Sequence, residues 1–464
     1  MSKAEIVLIN PNAGVESVSK IGISTPPLGL GYIASVLRKN GFKVKIIDDI
    51  VEKLDFSTLI KKIKNCIIVG ITSTTPTFNA ALKYARKIKE KLPNIFTILG
   101  GVHVSFLPYD ALKHEYVDAV CIGEGEYTML EVAERVEKGK SLEGVKGMMY
   151  RDKNSNRIVN CGKREFISNL DELPFPAFDL MPLDKYSLLG KKLECFPMMT
   201  SRGCPFNCRY CSSSLFFGKK FRARSAKNIV DEMEWLINDF GAKHIAFSDD
   251  TFTLNRKRVE EICNEIKRRN IDITWSCSSR VDTVNENLLR NMKASGCEAI
   301  YYGIESANPA VLQYYRKNIT PEKARDAVKI TKKIGISTIC SFIIGAPFET
   351  EEDIKRTLNF AIKLNPDYAQ FSILTPYPGT ELYKEAEREN LLLTKNFSEY
   401  TAGKPVLRNK FLSPEELKRL LHYCYRKFYL RPSFILKELR KRRIHVVLKI
   451  IKKFLMGKES LELS

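Results

Sequence analysis

Short β-branched runs alternate with amphipathic stretches over most of this chain, and the alternation sets its architecture. Between residues 1 and 140 the runs are Glu5–Ile9, Lys43–Ile47, Ile67–Thr72, Phe96–Leu99 and Ala119–Ile122. Stretches with apolar residues at helical spacing, such as Leu28–Asn40 and Asn79–Lys91, lie between them. Gly41 stands where a helix C-terminal cap belongs. Five strands joined by crossover helices predict a doubly wound parallel sheet. After a connector at 141–194 the alternation resumes over 195–390. Its strand candidates are Phe196–Ser201, His244–Ser248, Ile273–Ser278, Ala299–Ile304, Ser337–Ile344 and Ala369–Leu374, with Ala226–Phe240, Lys257–Arg269 and Glu351–Leu364 as helices. The connector holds a hairpin, Met148–Arg151 and Ile158–Cys161 about the polar turn Asp152–Arg157. Its proline-set linker, Leu173–Phe178, is expected to pack against both neighbours.

In parallel sheets, ligands bind beyond the carboxyl ends of the strands. In the first part those ends include Ser73 and Thr74, then Gly100-Gly101-Val102-His103 and Gly123-Glu124-Gly125-Glu126. Glycines and hydroxyls there let backbone come close to a large polar ligand. A dinucleotide is one candidate, because Gly29-Leu30-Gly31-Tyr32-Ile33-Ala34 has the form G-x-G-x-x-A and Asp48 ends the next strand. That fingerprint needs its glycines directly after the first strand, whereas these fall inside a helix.

The most specific chemistry lies in Thr200–Cys211. Cys204, Cys208 and Cys211 are spaced C-x3-C-x2-C, after an extended apolar run and before the hydroxyl-rich Ser212–Ser214. Thiolates ligate soft metals and iron–sulfur clusters. A closed structural zinc site needs four ligands, and no further Cys or His occurs in the thirty residues after Cys211. A [4Fe–4S] cluster on three thiolates keeps one iron open for another ligand. Three unrelated buried thiols are the plain alternative.

The triplet, with aromatic Tyr210 before its last cysteine, resembles the signature of radical S-adenosylmethionine (SAM) enzymes. The resemblance implies a [4Fe–4S] cluster on Cys204, Cys208 and Cys211, with SAM chelated to the open iron. It implies cleavage of SAM to a 5′-deoxyadenosyl radical, which abstracts hydrogen from an unreactive carbon. It also implies a partial, TIM-like (β/α)6 barrel over 195–390, with the chemistry at the carboxyl ends of its strands. On those ends it assigns Asp249 and Asp250 to the SAM amino group and Arg280 to the carboxylate. Glu305 with Ser306 would meet the ribose, and Gly345 the adenine. A helix N-cap for the acidic pair and a solvated arginine are the competing readings.

The first part is similar to the cobalamin-binding domain that precedes the barrel in one large class of these enzymes, a flavodoxin-like, Rossmann-type fold. The matching residues are Pro26–Leu30, Gly100–His103 and Gly123–Glu126, and the resemblance makes Ser73, Thr74, Gly100, Gly101, His103, Gly123, Glu124, Gly125 and Glu126 candidate cobalamin contacts. The D-x-H-x-x-G motif, whose histidine ligates cobalt in one type of that domain, is absent. His103 is therefore expected as a loop residue at the corrin edge and not as a cobalt ligand. A degenerate domain without cofactor is the alternative. Methyl transfer to an unactivated carbon is the implied reaction; cyclisation or carbon–carbon bond formation is the alternative within the same architecture.

Composition adds limits. A chain of 464 residues, 44% hydrophobic and 28% charged, is expected to form two or three domains of a soluble protein. No apolar run reaches membrane-span length, and MSKAEIVLIN leads straight into a strand, so a cytoplasmic location is expected. Of twelve cysteines, Cys66, Cys121, Cys263, Cys297 and Cys340 sit in apolar runs and read as reduced core residues. The net charge is +21, and residues 404–464, with 17 Lys/Arg and 5 Asp/Glu, carry +12 of it. In this basic helical C-terminal region (391–464) Pro414–Tyr429 reads as a helix capped by Ser413. Ser433–Leu455, with the basic run Arg440–Arg443, reads as a membrane-surface element or a docked cap. The expected partners are a small-molecule or lipid substrate, an electron donor such as ferredoxin or flavodoxin, and a membrane surface, but not nucleic acid. A tRNA methylthiotransferase would need a second cysteine triad near the amino terminus, where only Cys66 and Cys121 occur. An iron–sulfur nucleic-acid sensor would not need SAM-site residues on successive strand ends.

Overall fold

The computed structural model describes residues 3–14, 24–152, 155–188, 191–192 and 194–440. The first sheet has seven strands: β1 (Glu5–Asn10), β2 (Lys43–Asp48), β3 (Ile68–Thr72), β4 (Phe96–Gly100), β5 (Ala119–Cys121), β6 (Met148–Arg151) and β7 (Ile158–Asn160). Their order is β2-β1-β3-β4-β5-β6-β7; β1 to β5 are parallel, and β6 and β7 antiparallel. The parallel part has the flavodoxin-like order, with its switch point between β1 and β3. Alternate residues of β1 feed opposite faces, Ile6 and Leu8 into one core and Val7 and Ile9 into the other. That is why the run is continuously apolar. The hairpin assigned to the connector belongs to this sheet, because Met148–Tyr150 pairs antiparallel with Ala119–Cys121.

The second sheet is an open barrel of six parallel strands. In both chain and spatial order they are Cys195–Met198, His244–Phe247, Thr274–Ser279, Cys297–Glu305, Ser337–Ile344 and Tyr368–Ile373. Trp275, Ile300, Tyr302, Phe342 and Phe371 pack outward with helix residues such as Ile262, Leu288 and Leu358. Alternation therefore sends Ser276, Ser278, Tyr301, Ser341, Gln370 and Ser372, all half-buried, to the concave face.

The two sheets are joined at several points. The linker packs as expected: the Ser35 hydroxyl donates to the Phe175 carbonyl at 2.5 Å, and the Phe178 ring lies 5.5 Å from that of Phe196. Gly31 of the false dinucleotide motif serves this contact, since a Cβ there would come within 2.7 Å of Met181. The Phe106 ring lies on Gly379, where a Cβ would approach it to 2.3 Å. His103 is not in a loop. It lies in the helix Val102–Phe106, fully buried, its ring 4.0 Å from Phe78 and 4.6 Å from Phe397 of the carboxyl-terminal region.

The helix Pro414–Tyr429 opens with a capping box between Ser413 and Glu416. It covers the sixth barrel strand, an edge that would otherwise offer free backbone groups. The Tyr425 hydroxyl accepts from Phe371 N (3.1 Å) and donates to Phe371 O (2.8 Å); the Tyr429 hydroxyl does the same for Ala369, at 3.0 and 2.7 Å. Two phenols one helical turn apart thus stand in for a seventh strand. The following helix is described for Pro432–Arg440, and the rest of the expected Ser433–Leu455 element lies outside the described residues.

Two outcomes test this packing. Tyr425→Phe strips the partner from a buried N–H and C=O, and should lower the denaturation free energy by about 2 kcal/mol. Burial holds the His103 imidazole down at a pKa of about 4. A histidine depressed on folding contributes stability that is complete above its unfolded value of 6.5 and lost as pH falls toward 4. Urea titrations should therefore show wild type losing up to about 3 kcal/mol more than His103→Phe across that window.

Candidate active site

The cysteine loop hangs between two antiparallel ribbon strands, Ser201–Arg202 and Arg222–Ala223. Gly203 has φ +91°, and a Cβ there would lie 2.3 Å from the Lys220 carbonyl, so only glycine lets the loop close. Cys204 N donates to Gly218 O at 3.1 Å and Arg209 N to Tyr315 O at 3.0 Å. The Arg209 guanidinium pairs with Glu385. Cys204, Cys208 and Cys211 are free and half-buried, and burial pushes the Cys204 and Cys211 thiols up. No group of three or more His, Cys, Asp or Glu among the described residues is placed to hold a single metal ion. Three thiolates on one loop are a donor set for a cluster with one open iron, whereas a closed structural zinc site takes four ligands.

Around the loop, side chains divide into those used by the fold and those left facing the site. Asp249 belongs to the first kind, which corrects its assignment to SAM. Its buried carboxylate accepts from Thr200 N (2.7 Å), Ser201 N (3.1 Å) and both hydroxyls, binding the first strand end to the second. Asp250 is exposed beside the loop. Arg280 is held in place by the fold through Nε and Nη2. It makes a two-pronged pair with Asp282 (2.9 and 2.8 Å), donates to Lys317 O (2.9 Å), and lies 3.7 Å over the Phe206 ring of the cysteine loop. Ser306 is wholly buried and bonded to Thr357 (3.1 Å), so it braces the strand end and does not face a ribose.

Glu305 is a junction. Its Oε1 accepts from Tyr210 OH (3.0 Å) and Lys317 Nζ (2.8 Å), and its Oε2 from Ser341 Oγ (3.3 Å). Its φ is +71° beside a register shift, a conformation that costs on the order of 1–3 kcal/mol for a non-glycine residue. Gly345 also has positive φ, +87°, and its N–H donates at 2.6 Å to Glu349, a fully buried carboxyl raised by desolvation to about 7. Lys317 was missed by sequence reasoning: a lysine past a short helix carries no signal.

A largely apolar cleft of about 760 Å³ lies at the carboxyl ends of β1, β3, β4 and β5. Gly100, Gly101, Gly123, Glu124, Gly125 and Glu126 line it, whereas Ser73, Thr74 and His103 do not. Ser73 donates to Gly100 O (3.0 Å) and Thr74 N to Thr77 (2.9 Å). Gly101 serves backbone packing: a Cβ there would sit 2.4 Å from Ser73 O. Gly70 lines the cleft and was missed, although a glycine in mid-strand signals close approach. Glu126 Oε2 is buried without a partner among the described residues, and it suits an amide N–H of the kind that fringes a corrin. Glycine walls, an apolar floor and an unused acceptor fit cobalamin.

Cleft and cysteine loop share a wall, because Met199, Arg202, Phe216 and Phe217 also line the cleft. Arg202 pairs with Glu124 (2.9 Å) and Glu126 (2.5 Å), and Arg222 with Glu124 (2.9 Å), with every side chain at most 5% exposed. The carboxylates expected to touch cofactor thus hold the two domains together. Cys66 and Cys121 are buried with thiols raised to about 12, and neither belongs to a metal-binding group among the described residues.

Known proteins share this layout. The radical SAM superfamily pattern matches residues 198–361 and the B12 binding domain residues 17–133. An uncharacterized methyltransferase of Pyrococcus horikoshii is 44% identical over 95% of this chain and 95% of its own length. An anaerobic magnesium-protoporphyrin IX monomethyl ester cyclase of Rubrivivax gelatinosus is 28% identical over 93% of this chain and 78% of its own. The radical SAM methyltransferase TsrM of Kitasatospora setae, solved with cobalamin and a [4Fe–4S] cluster, superposes with a TM-score of 0.70 at 19% identity, over 90% of this chain and 82% of that one. A [4Fe–4S] cluster, SAM and cobalamin are the cofactors that follow. By its likeness along nearly its whole length to the Pyrococcus methyltransferase, the chain belongs to the cobalamin-dependent radical SAM methyltransferase family.

Proposed function

We propose that this enzyme transfers a methyl group to an unactivated carbon of a small molecule held on the concave face of the barrel. The observation that carries this reading is the shared wall: Met199, Arg202, Phe216 and Phe217 flank the cysteine loop and also line the cofactor cleft. The cluster with SAM supplies hydrogen abstraction, and cobalamin supplies the methyl group. Cys204, Cys208 and Cys211 would hold the cluster. Asp250 and the Glu305–Lys317 pair are the charged groups left near SAM. The methyltransferase name of the 44% identical relative supports methyl transfer over cyclisation.

The concave face carries Ser278, Ser341, Gln370, Ser372 and Tyr301, of which Tyr301 bonds Gln370, Ser341 bonds Glu305 and Ser372 bonds the Phe342 carbonyl. Neutral hydrogen-bonding groups of this kind favour a polar molecule over the bare chain of an isoprenoid lipid. Electrons would enter from an acidic donor such as a ferredoxin or flavodoxin. A polar pocket of about 510 Å³ lined by Asn207, Cys208, Cys211 and Lys384 supports that entry point. No helix among the described residues is long and apolar enough to cross a membrane. Peripheral association through the basic carboxyl-terminal residues remains part of this proposal.

Anaerobically reconstituted protein should hold about four irons per chain and form 5′-deoxyadenosine from SAM. Cys208→Ala should lose both, and full SAM cleavage by that variant overturns the cluster assignment. In vesicle sedimentation, full-length protein should bind anionic vesicles, and truncation after Tyr429 should release it while the barrel stays folded. Equal sedimentation of the two removes the membrane component.

A further inference from the structure

We propose that Arg202 is a positioning residue through which cluster binding and cobalamin binding strengthen one another. The two residues that open and close the cysteine-bearing segment, Arg202 and Arg222, meet at one carboxylate of the other domain. Arg202 Nη1 reaches Glu124 Oε1 at 2.9 Å, and Arg222 Nη1 reaches Oε1 and Oε2 of the same group at 2.9 and 3.1 Å. Arg202 Nη2 takes Glu126 Oε1 at 2.5 Å, and the Arg222 Nη2 donates to Phe217 O at 2.8 Å. The Arg202 guanidinium lies 5.5 Å from the Tyr32 ring and 5.7 Å from Phe217. Arg202, Tyr32, Phe217, Glu124 and Glu126 all line the cofactor cleft.

The segment 203–221 therefore has its two ends tied to the cobalamin domain, and its three cysteines would hold the cluster between them. A cluster bound to Cys204, Cys208 and Cys211 joins three points of that loop and removes much of its conformational freedom. Ordering the loop fixes Phe216 and Phe217, two residues of the cleft wall, and the direction in which Arg202 leaves it. Cobalamin then meets a wall already built, and does not have to order it on binding. Linkage makes the effect reciprocal: cobalamin in the cleft must favour the cluster-binding loop by the same factor.

Equilibrium dialysis with hydroxocobalamin, with cobalt counted by mass spectrometry, tests this without turnover. Chelator-stripped and cluster-reconstituted protein are compared anaerobically in the absence of SAM. Reconstituted wild type should bind about 10-fold tighter, within the usual range of couplings between sites. Glu124→Gln, which neutralises the shared carboxylate, should bring the ratio near 1 while the iron content is kept. Glu126→Gln neutralises the second partner of Arg202; any direct loss of a corrin contact falls equally on both forms of the protein, so the ratio should drop even if Glu124→Gln does not fold. A wild-type ratio within twofold of 1, or an unchanged ratio in the variant that folds, overturns the coupling and leaves the assignment of both cofactors standing. No binding to either form of the wild type overturns the cobalamin assignment along with it.

Discussion

The buried contact of Arg202 and Arg222 with Glu124 and Glu126 is the constraint on which the arrangement depends. Four charges lie almost out of water, so each must be matched; removing one partner from such a group typically costs about 3–5 kcal/mol. Charge pairs of this kind add little stability over apolar packing, but they tolerate only one geometry. Here that geometry sets the distance and angle between two binding sites on different domains. The aromatic linker at Phe175 and Phe178 and the seat of Phe106 on Gly379 supply apolar contact area, which is less particular about direction. Adhesion and alignment are thus carried by different residues.

The barrel has a second constraint in its openness. Six strands leave an edge, and the chain closes it with phenol hydroxyls on a helix. This explains why the carboxyl-terminal region combines an apolar, tyrosine-bearing face with a basic one: one face is a lid on Phe371 and Ala369, and the other lies in water. The choice between membrane-surface element and docked cap concerns Ser433–Leu455, of which only the part up to Arg440 is described.

Much of the fold was legible in the chain because parallel strands buried on both faces are written as short continuous apolar runs. All thirteen expected strands, the hairpin pair included, are present, and the cysteine triplet stands out by spacing alone. Side-chain roles were less legible. Asp249 and Arg280 sit at the strand ends where charged ligand contacts belong, yet each is engaged by groups that the sequence does not mark as neighbours: Thr200 lies 49 positions from Asp249, and Lys317 37 from Arg280. His103 follows a glycine pair at a strand end, but whether such a residue faces a cleft or the core depends on Phe397, nearly 300 positions away. Glycines misled in a consistent manner. Gly101, Gly31 and Gly70 all make room for the protein's own backbone and side chains, although Gly101 and Gly70 also line the cleft. Pattern reports which backbone is needed, but not what approaches it.

The tyrosine closure of the barrel also bears on how the protein is made. The strand Tyr368–Ile373 can pair with its neighbour as soon as it emerges from the ribosome, but Tyr429 follows Ile373 by 56 residues. At synthesis rates of roughly 5–20 residues per second, the edge stays uncovered for about 3–11 s. During that interval Ala369 and Phe371 present unsatisfied backbone groups to any other nascent strand. The last described helices therefore do for the growing chain what a chaperone does in trans, and the chain has to wait for them.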